Sequence, residues 1–152
     1  GEYLLCIFLF LLAGVSDYFD GYLARKYNAE SELGEILDPI ADKILVVFLL
    51  IGLSVNLYSY LMAVMSSLII SREIGVAALR DYAARNDMSH KTKVTFLAKS
   101  KTALQISTIM LYLIALSFNL SLLIIIGDIS LIAATLITLY TGYEYANNIF
   151  TK

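Results

Sequence analysis

Tryptophan is absent from the 152 residues, and cysteine, proline and histidine occur once each. A lone cysteine, Cys6, excludes an internal disulfide and leaves the redox compartment undetermined. The expected reading of Cys6 is a small, buried apolar residue. His90 falls in a polar, basic stretch and reads as a solvated loop residue. Pro39 directly follows Asp38, where the first turn of a helix tolerates proline. Charged residues are scarce, at 16%, and the formal net charge of -2 offers no bulk attraction to nucleic acid. No repeat or low-complexity tract interrupts the chain. The opening "GEYLLCIFLFLLAG" has no basic n-region, so it is not expected to be a cleavable signal peptide. It also has no initiator Met and enters an apolar run almost at once, so a preceding segment is expected.

What the chain has instead is apolar length. Hydrophobic residues make up 59% of it, and the mean hydropathy is +0.76. That is too apolar for an ordinary soluble domain and points to a single all-α, polytopic transmembrane bundle over residues 1–152. A bilayer needs about 20 residues per span. The run from Tyr3 to Val15 reaches that length only if its helix continues through Asp17 and Asp20 towards Arg25. The uncharged stretch from Ile44 to Ile70 is too long for one span, and "GLSVNLYSY" (Gly52 to Tyr60) divides it into two helices. The first runs back through Asp42 and Asp38, the second onward through Arg72 to Arg85. Val94 to Ser117 is a fourth helix. A fifth spans Ile126 to about Asn147, after a linker around "SFNLSLL".

Arg25 and Lys26 lie in the first connection, and Arg80, Arg85, Lys91, Lys93, Lys99 and Lys101 in or beside the third. The second and fourth connections carry no Lys or Arg. The positive-inside rule then puts the first and third connections in the cytoplasm. Tyr58, Tyr60, Tyr140, Tyr143 and Tyr145 are candidates for interfacial anchors, ordinary packing being the alternative for each.

Four aspartates sit at the inner ends of the first two apolar runs. Asp17 and Asp20 are three apart, and Asp38 and Asp42 four apart, so each pair shares a helical face. Carboxylates near lipid are costly and mark function. Four converging at low dielectric would repel, and divalent cations relieve that repulsion. Hard oxygen ligands suit Mg²⁺ or Mn²⁺, and two ions can share four carboxylates, the usual apparatus of phosphoryl displacement. The alternative is helix capping or pairing with Arg25, Lys26 and Lys43. Small Gly21, Ala24 and Gly34 permit close approach by a nucleotide or by a neighbouring helix.

Together these residues form Asp17-x2-Asp20-Gly21-x2-Ala24-Arg25-x8-Gly34-x3-Asp38-x3-Asp42. This resembles, at all eight positions, the signature of the CDP-alcohol phosphatidyltransferases. The similarity extends through "SREIGVAALRDYAARN" and "LAKSKTALQ". The resemblance implies six transmembrane helices, of which five are visible with the first missing, an inward-facing polar cavity, and a homodimer. It implies an enzyme of the bacterial inner membrane, with its active site facing the cytoplasm. There the hydroxyl of sn-glycerol 3-phosphate would displace CMP from CDP-diacylglycerol. It also implies Asp17, Asp20 and Asp38 as principal metal ligands, with Asp42 completing the site and acting as base. Gly21, Ala24, Arg25 and Gly34 would border the CDP moiety.

The acceptor's phosphate requires cations, for which Arg72, Arg80, Lys101 and Lys99 are the candidates. Positive-inside topology and contact with anionic lipid offer the alternative. Glu73 and Arg80, seven apart, share a face from which Arg72 is offset. Arg85, Lys91 and Lys93 read as solvated loop charges. Inositol or inositol phosphate is the rival acceptor, because the metal motif handles only the donor. A divalent-cation transporter is the rival from another class, and the eight-position pattern, with Gly21 and Arg25, argues against it.

Overall fold

The computed structural model describes residues 2–27, 32–86, 88 and 96–151. Among these, all regular structure is helical: α1 Glu2–Tyr27, α2 Glu32–Asn56, α3 Tyr60–Arg85, α4 Phe96–Phe118 and α5 Ser121–Phe150. Among the described residues, four stretches are long and apolar enough to cross a membrane: Glu2–Leu23, Tyr60–Arg85, Ser100–Phe118 and Ser121–Phe150. The apolar part of α2, Lys43–Asn56, is shorter. The chain is an all-α membrane protein. Helices are what such a sequence must form, because hydrocarbon offers no partner for an unpaired backbone group.

The structure departs from expectation in three places. Helix α5 begins at Ser121 rather than Ile126, so only Asn119 and Leu120 separate it from α4. The apolar "LLIII" that follows Ser121 costs nothing to keep helical in lipid, whereas an extended linker would leave its backbone unpaired. Pro39 lies inside α2 rather than in its first turn, which starts at Glu32. A proline there removes one backbone donor, a loss that a 25-residue helix absorbs. Cys6 is exposed rather than buried, because on a membrane helix an apolar residue faces lipid as readily as protein. His90, Lys91 and Lys93 lie outside the described residues.

Both short turns close by the same device. At the end of α2, Ser59 N–H donates to the Ser54 carbonyl at 3.4 Å, with Tyr58 left-handed at φ 48°. At the end of α4, Leu120 N–H donates to the Ala115 carbonyl at 2.9 Å, with Asn119 left-handed at φ 52°. This six-to-one bond over a left-handed residue satisfies carbonyls that a helix end would otherwise leave unpaired. Ser59 also caps α3, accepting from Met62 N–H at 3.2 Å.

Helix α5 packs against α4 and α3, α2 against α3, and α1 against α4. The central cluster joins Leu50 and Leu53 of α2, Met62 and Ile69 of α3, Ile109, Tyr112 and Leu113 of α4, and Leu131 of α5. Lipid is as apolar as leucine, so close approach and polar contacts must hold such helices together. The buried face of α5 is accordingly mostly small or hydroxylated, with Gly127, Ala134, Thr135, Thr138, Thr141 and Gly142 beside Leu131 and Ile149. Along the α4–α5 seam, Gln105 donates to Thr138 at 3.2 Å. Thr108 and Ser130 hydroxyls lie 2.6 Å apart, and Tyr112 donates to Asp128 at 2.6 Å. Tyr3 donates to Asn56 at 2.8 Å, tying the start of α1 to the end of α2.

Candidate active site

Helices α1 to α4 enclose a cavity of about 880 Å³. Most of its wall is apolar, from residues such as Phe10, Val46, Ile69 and Met110. Lys43 of α2, Glu73 of α3, and Thr102 and Gln105 of α4 supply polar groups. Val15, two residues from Asp17, lines it, as do Ala41 and Lys43 on either side of Asp42. The aspartate-bearing segments of α1 and α2 therefore border the cavity. The backbone is helical through both, which keeps Asp17 with Asp20 and Asp38 with Asp42 on common faces.

Asp20 is exposed and Gly21 half-buried. The side-chain surroundings of Asp17, Ala24, Arg25, Asp38, Asp42 and Lys99, and of Gly34, lie outside what the structure describes. Among the described residues, no three His, Cys, Asp or Glu gather as a metal cluster. What the chain offers a divalent ion is the chemistry of its donor set, four carboxylates in two helical pairs. Those are the hard oxygen ligands that Mg²⁺ and Mn²⁺ prefer, so the residues fit the ion.

Behind Glu73 lies a charged cluster. Arg72 Nη1 donates to Glu73 Oε1 at 3.0 Å, and Lys101 Nζ donates to the same oxygen. Arg72 Nη2 donates to Thr141 Oγ1 at 2.9 Å, while Arg72 Nε is buried with no hydrogen-bond partner among the described residues. The side chains of Arg72 and Lys101 are 8% and 10% exposed, and that of Glu73 21%. The Arg72 stem passes over Gly142, where a Cβ would lie 2.9 Å from Arg72 Cγ. Helices α3 and α4 thus meet at one carboxylate, and α5 holds Arg72 from behind.

Of the expected acceptor cations, the structure brings Arg72 and Lys101 together and leaves Arg80 out. Arg80 is exposed two turns further along α3. Arg85 is exposed and pairs with Asp81 at 3.0 Å, as a solvated charge would. Glu73 is the hub that spacing did not single out. A carboxylate one residue from an arginine, in an otherwise apolar helix, was the available signal.

The family model for CDP-alcohol phosphatidyltransferase matches residues 1–141. This chain belongs to that family. The CDP-alcohol phosphatidyltransferases are generally dependent on divalent metal. Several relatives share the name CDP-diacylglycerol–glycerol-3-phosphate 3-phosphatidyltransferase. One, from Blochmanniella floridana, is 41% identical over 147 residues, covering 96% of this chain and 75% of the relative. Another, from Rickettsia bellii (strain RML369-C), is 41% identical over 138 residues, covering 90% of this chain and 74% of the relative. That from Sodalis glossinidius (strain morsitans) is 32% identical over 143 residues, covering 93% and 76%.

Proposed function

We propose that this CDP-alcohol phosphatidyltransferase transfers a phosphatidyl group from CDP-diacylglycerol to sn-glycerol 3-phosphate, forming phosphatidylglycerophosphate in phospholipid biosynthesis. The observation that carries the reading is the cavity. Its wall joins the aspartate-bearing ends of α1 and α2 to Glu73, the carboxylate that holds Arg72 and Lys101. Such a site has a place for a diphosphate and a separate source of positive charge for a second phosphate. Neither an inositol acceptor nor cation transport is favoured by the relatives' names.

Asp17, Asp20, Asp38 and Asp42 would hold Mg²⁺ or Mn²⁺, as two ions. Ions held there would supply positive charge to the donor diphosphate when CMP departs. Gly21, Ala24, Arg25 and Gly34 border the CDP moiety. Asp42 accepts the proton of the acceptor's primary hydroxyl. The hydroxyl oxygen forms a bond to the β-phosphorus, the β-phosphorus–oxygen bond to CMP breaks, and that electron pair departs with CMP. Arg72 and Lys101 attract the acceptor's phosphate, with Arg80 and Lys99 guiding its approach. Residues 1–152 form a single catalytic membrane domain that works as a homodimer in the bacterial inner membrane. The lysines and arginines of the first and third connections face the aspartates towards the cytoplasm.

The test is incorporation of labelled sn-glycerol 3-phosphate into lipid by purified protein in CDP-diacylglycerol micelles. Inositol and inositol phosphate run alongside as competing acceptors. Activity should require Mg²⁺ or Mn²⁺, vanish in excess chelator, and nearly vanish in Asp38→Asn without loss of folding. Asp42→Asn should lower turnover by about 10² to 10⁴. Preferential labelling from an inositol acceptor would overturn the acceptor assignment, and full activity in chelator would overturn the metal reading.

A further inference from the structure

The two buried cations do not form the cavity wall; the carboxylate that binds them does. Glu73 is a lining residue, with Arg72 and Lys101 set behind it. Arg72 is anchored from the far side, by its bond to Thr141 Oγ1 at 2.9 Å and its seat on Gly142. An anion entering from the cavity therefore meets Glu73 before it meets either cation. The carboxylate also serves them incompletely. Both cations share the single oxygen Oε1, and Arg72 Nε has no partner among the described residues.

We infer that Glu73 is a specificity-determining stand-in for the acceptor's phosphate: it neutralises Arg72 and Lys101 at rest, and a phosphate dianion must displace it. This rests on the reading of Arg72 and Lys101 as the acceptor-phosphate cations. The physical case is one of charge and geometry. Two cations buried in a low-dielectric interior require an anion nearby, because an uncompensated buried charge is strongly destabilising. One carboxylate against Arg72 and Lys101 leaves one positive charge in excess, and Lys43 in the cavity wall adds another nearby. A phosphate dianion brings two charges and three terminal oxygens, enough for both Lys101 Nζ and Arg72 Nη1, the two donors that Glu73 now holds on one oxygen. A neutral alcohol brings no charge with which to displace Glu73. The carboxylate thereby selects for a phosphorylated acceptor, at the cost of competing with it.

The experiment measures inorganic phosphate binding by the full chain in detergent. Its readouts are the rise in unfolding temperature and competitive inhibition against sn-glycerol 3-phosphate. Glu73→Gln keeps a hydrogen-bonding oxygen and removes the competing charge. It should lower the half-effect concentration of phosphate about tenfold, as expected for one charge-assisted contact. The acceptor's KM should fall with it, while the KM for CDP-diacylglycerol stays unchanged. Glu73→Asp keeps the charge on a shorter arm and should shift the phosphate response in the same direction by less. Arg72→Gln and Lys101→Met should weaken it. If those two lose the response while Glu73→Gln leaves it unchanged or weaker, Glu73 is only a strut and the inference fails, with the cation reading intact. If Glu73→Gln cannot fold and Glu73→Asp binds phosphate as the unmutated chain does, the inference also fails. Unaltered phosphate binding in Arg72→Gln and Lys101→Met would instead remove the cation reading, and this inference with it.

Discussion

Gly127 and Gly142 lie on the buried face of α5, and each is packed against by one side chain from a neighbouring helix. A Cβ on Gly127 would come within 2.9 Å of Tyr112 Cε1 and 3.0 Å of Cζ. Tyr112 is fully buried, so its ring has nowhere to move. Gly127→Ala should therefore destabilise the protein by about 1–3 kcal/mol, the usual range for overpacking. Tyr112→Phe removes the 2.6 Å bond to Asp128 but keeps the ring. Hydrogen bonds between membrane helices average only about 0.6 kcal/mol, so Tyr112→Phe should cost less. Unfolding of both variants in detergent compares them directly, and the reverse order would show that the polar contact dominates the seam. Gly142 differs because its neighbour is the flexible stem of Arg72, at 2.9 Å from Cγ and 3.0 Å from Nε. That stem is held at its far end by Glu73 and Thr141, so Gly142→Ala should cost some stability and misplace the guanidinium. We expect the KM for sn-glycerol 3-phosphate to rise roughly tenfold or more, since small misplacements of a positioning group are costly. The KM for CDP-diacylglycerol should not follow, and an unchanged acceptor KM would separate Gly142 from the site.

At the scale of the element, the two tight turns use the same geometry with unequal residues. Asn119 suits the left-handed conformation, because asparagine adopts it more readily than most residues. Tyr58 does not, yet holds φ 48° while 90% exposed. Its ring therefore makes little protein contact that would repay the backbone strain. Tyr58→Gly should raise stability by about 1 kcal/mol, whereas Asn119→Gly should change it by only a few tenths. Thermal unfolding of the two variants checks this, and a loss in Tyr58→Gly would identify the ring as an interfacial anchor that outweighs the strain. Both turns lie where sequence placed a break, since "NLYSY" and "SFNLS" are the polar interruptions of otherwise apolar runs. How short the second would be was not legible there. The residues after Ser121 are as compatible with a loop at a membrane surface as with a helix until the packing of α5 against α4 is known.

For the whole molecule, consecutive antiparallel helices put the ends of α1 and α3 on one side and the turns after α2 and α4 on the other. In a Cys6→Ser background, single cysteines at Lys26 and Arg85 should react with an impermeant thiol reagent only from the cytoplasmic side. Cysteines at Tyr58 and Asn119 should react only from the opposite side. Labelling of all four from one side would overturn both the topology and the cytoplasmic placement of the aspartates. The uneven distribution of Lys and Arg is what predicts this orientation. The site was readable in part. The spacing of Asp17, Asp20, Asp38 and Asp42 marked the end of the bundle where chemistry is expected, but not which cations would stand together nearby.

The order and approximate limits of the five described helices, and the aspartate pairs on α1 and α2, were determined by sequence alone. The physical reason is local: in lipid each backbone group must be satisfied within its own helix, and faces repeat every three or four residues. The partners of Arg72 were decided only by tertiary structure. Periodicity grouped Glu73 with Arg80 and set Arg72 aside, whereas the bundle joins Arg72, Glu73, Lys101 and Thr141 from three helices. Those contacts depend on how far α3, α4 and α5 rotate and slide against one another. Side chains as long as arginine and lysine reach across such grooves from more than one face, and no spacing along a single chain encodes where they meet.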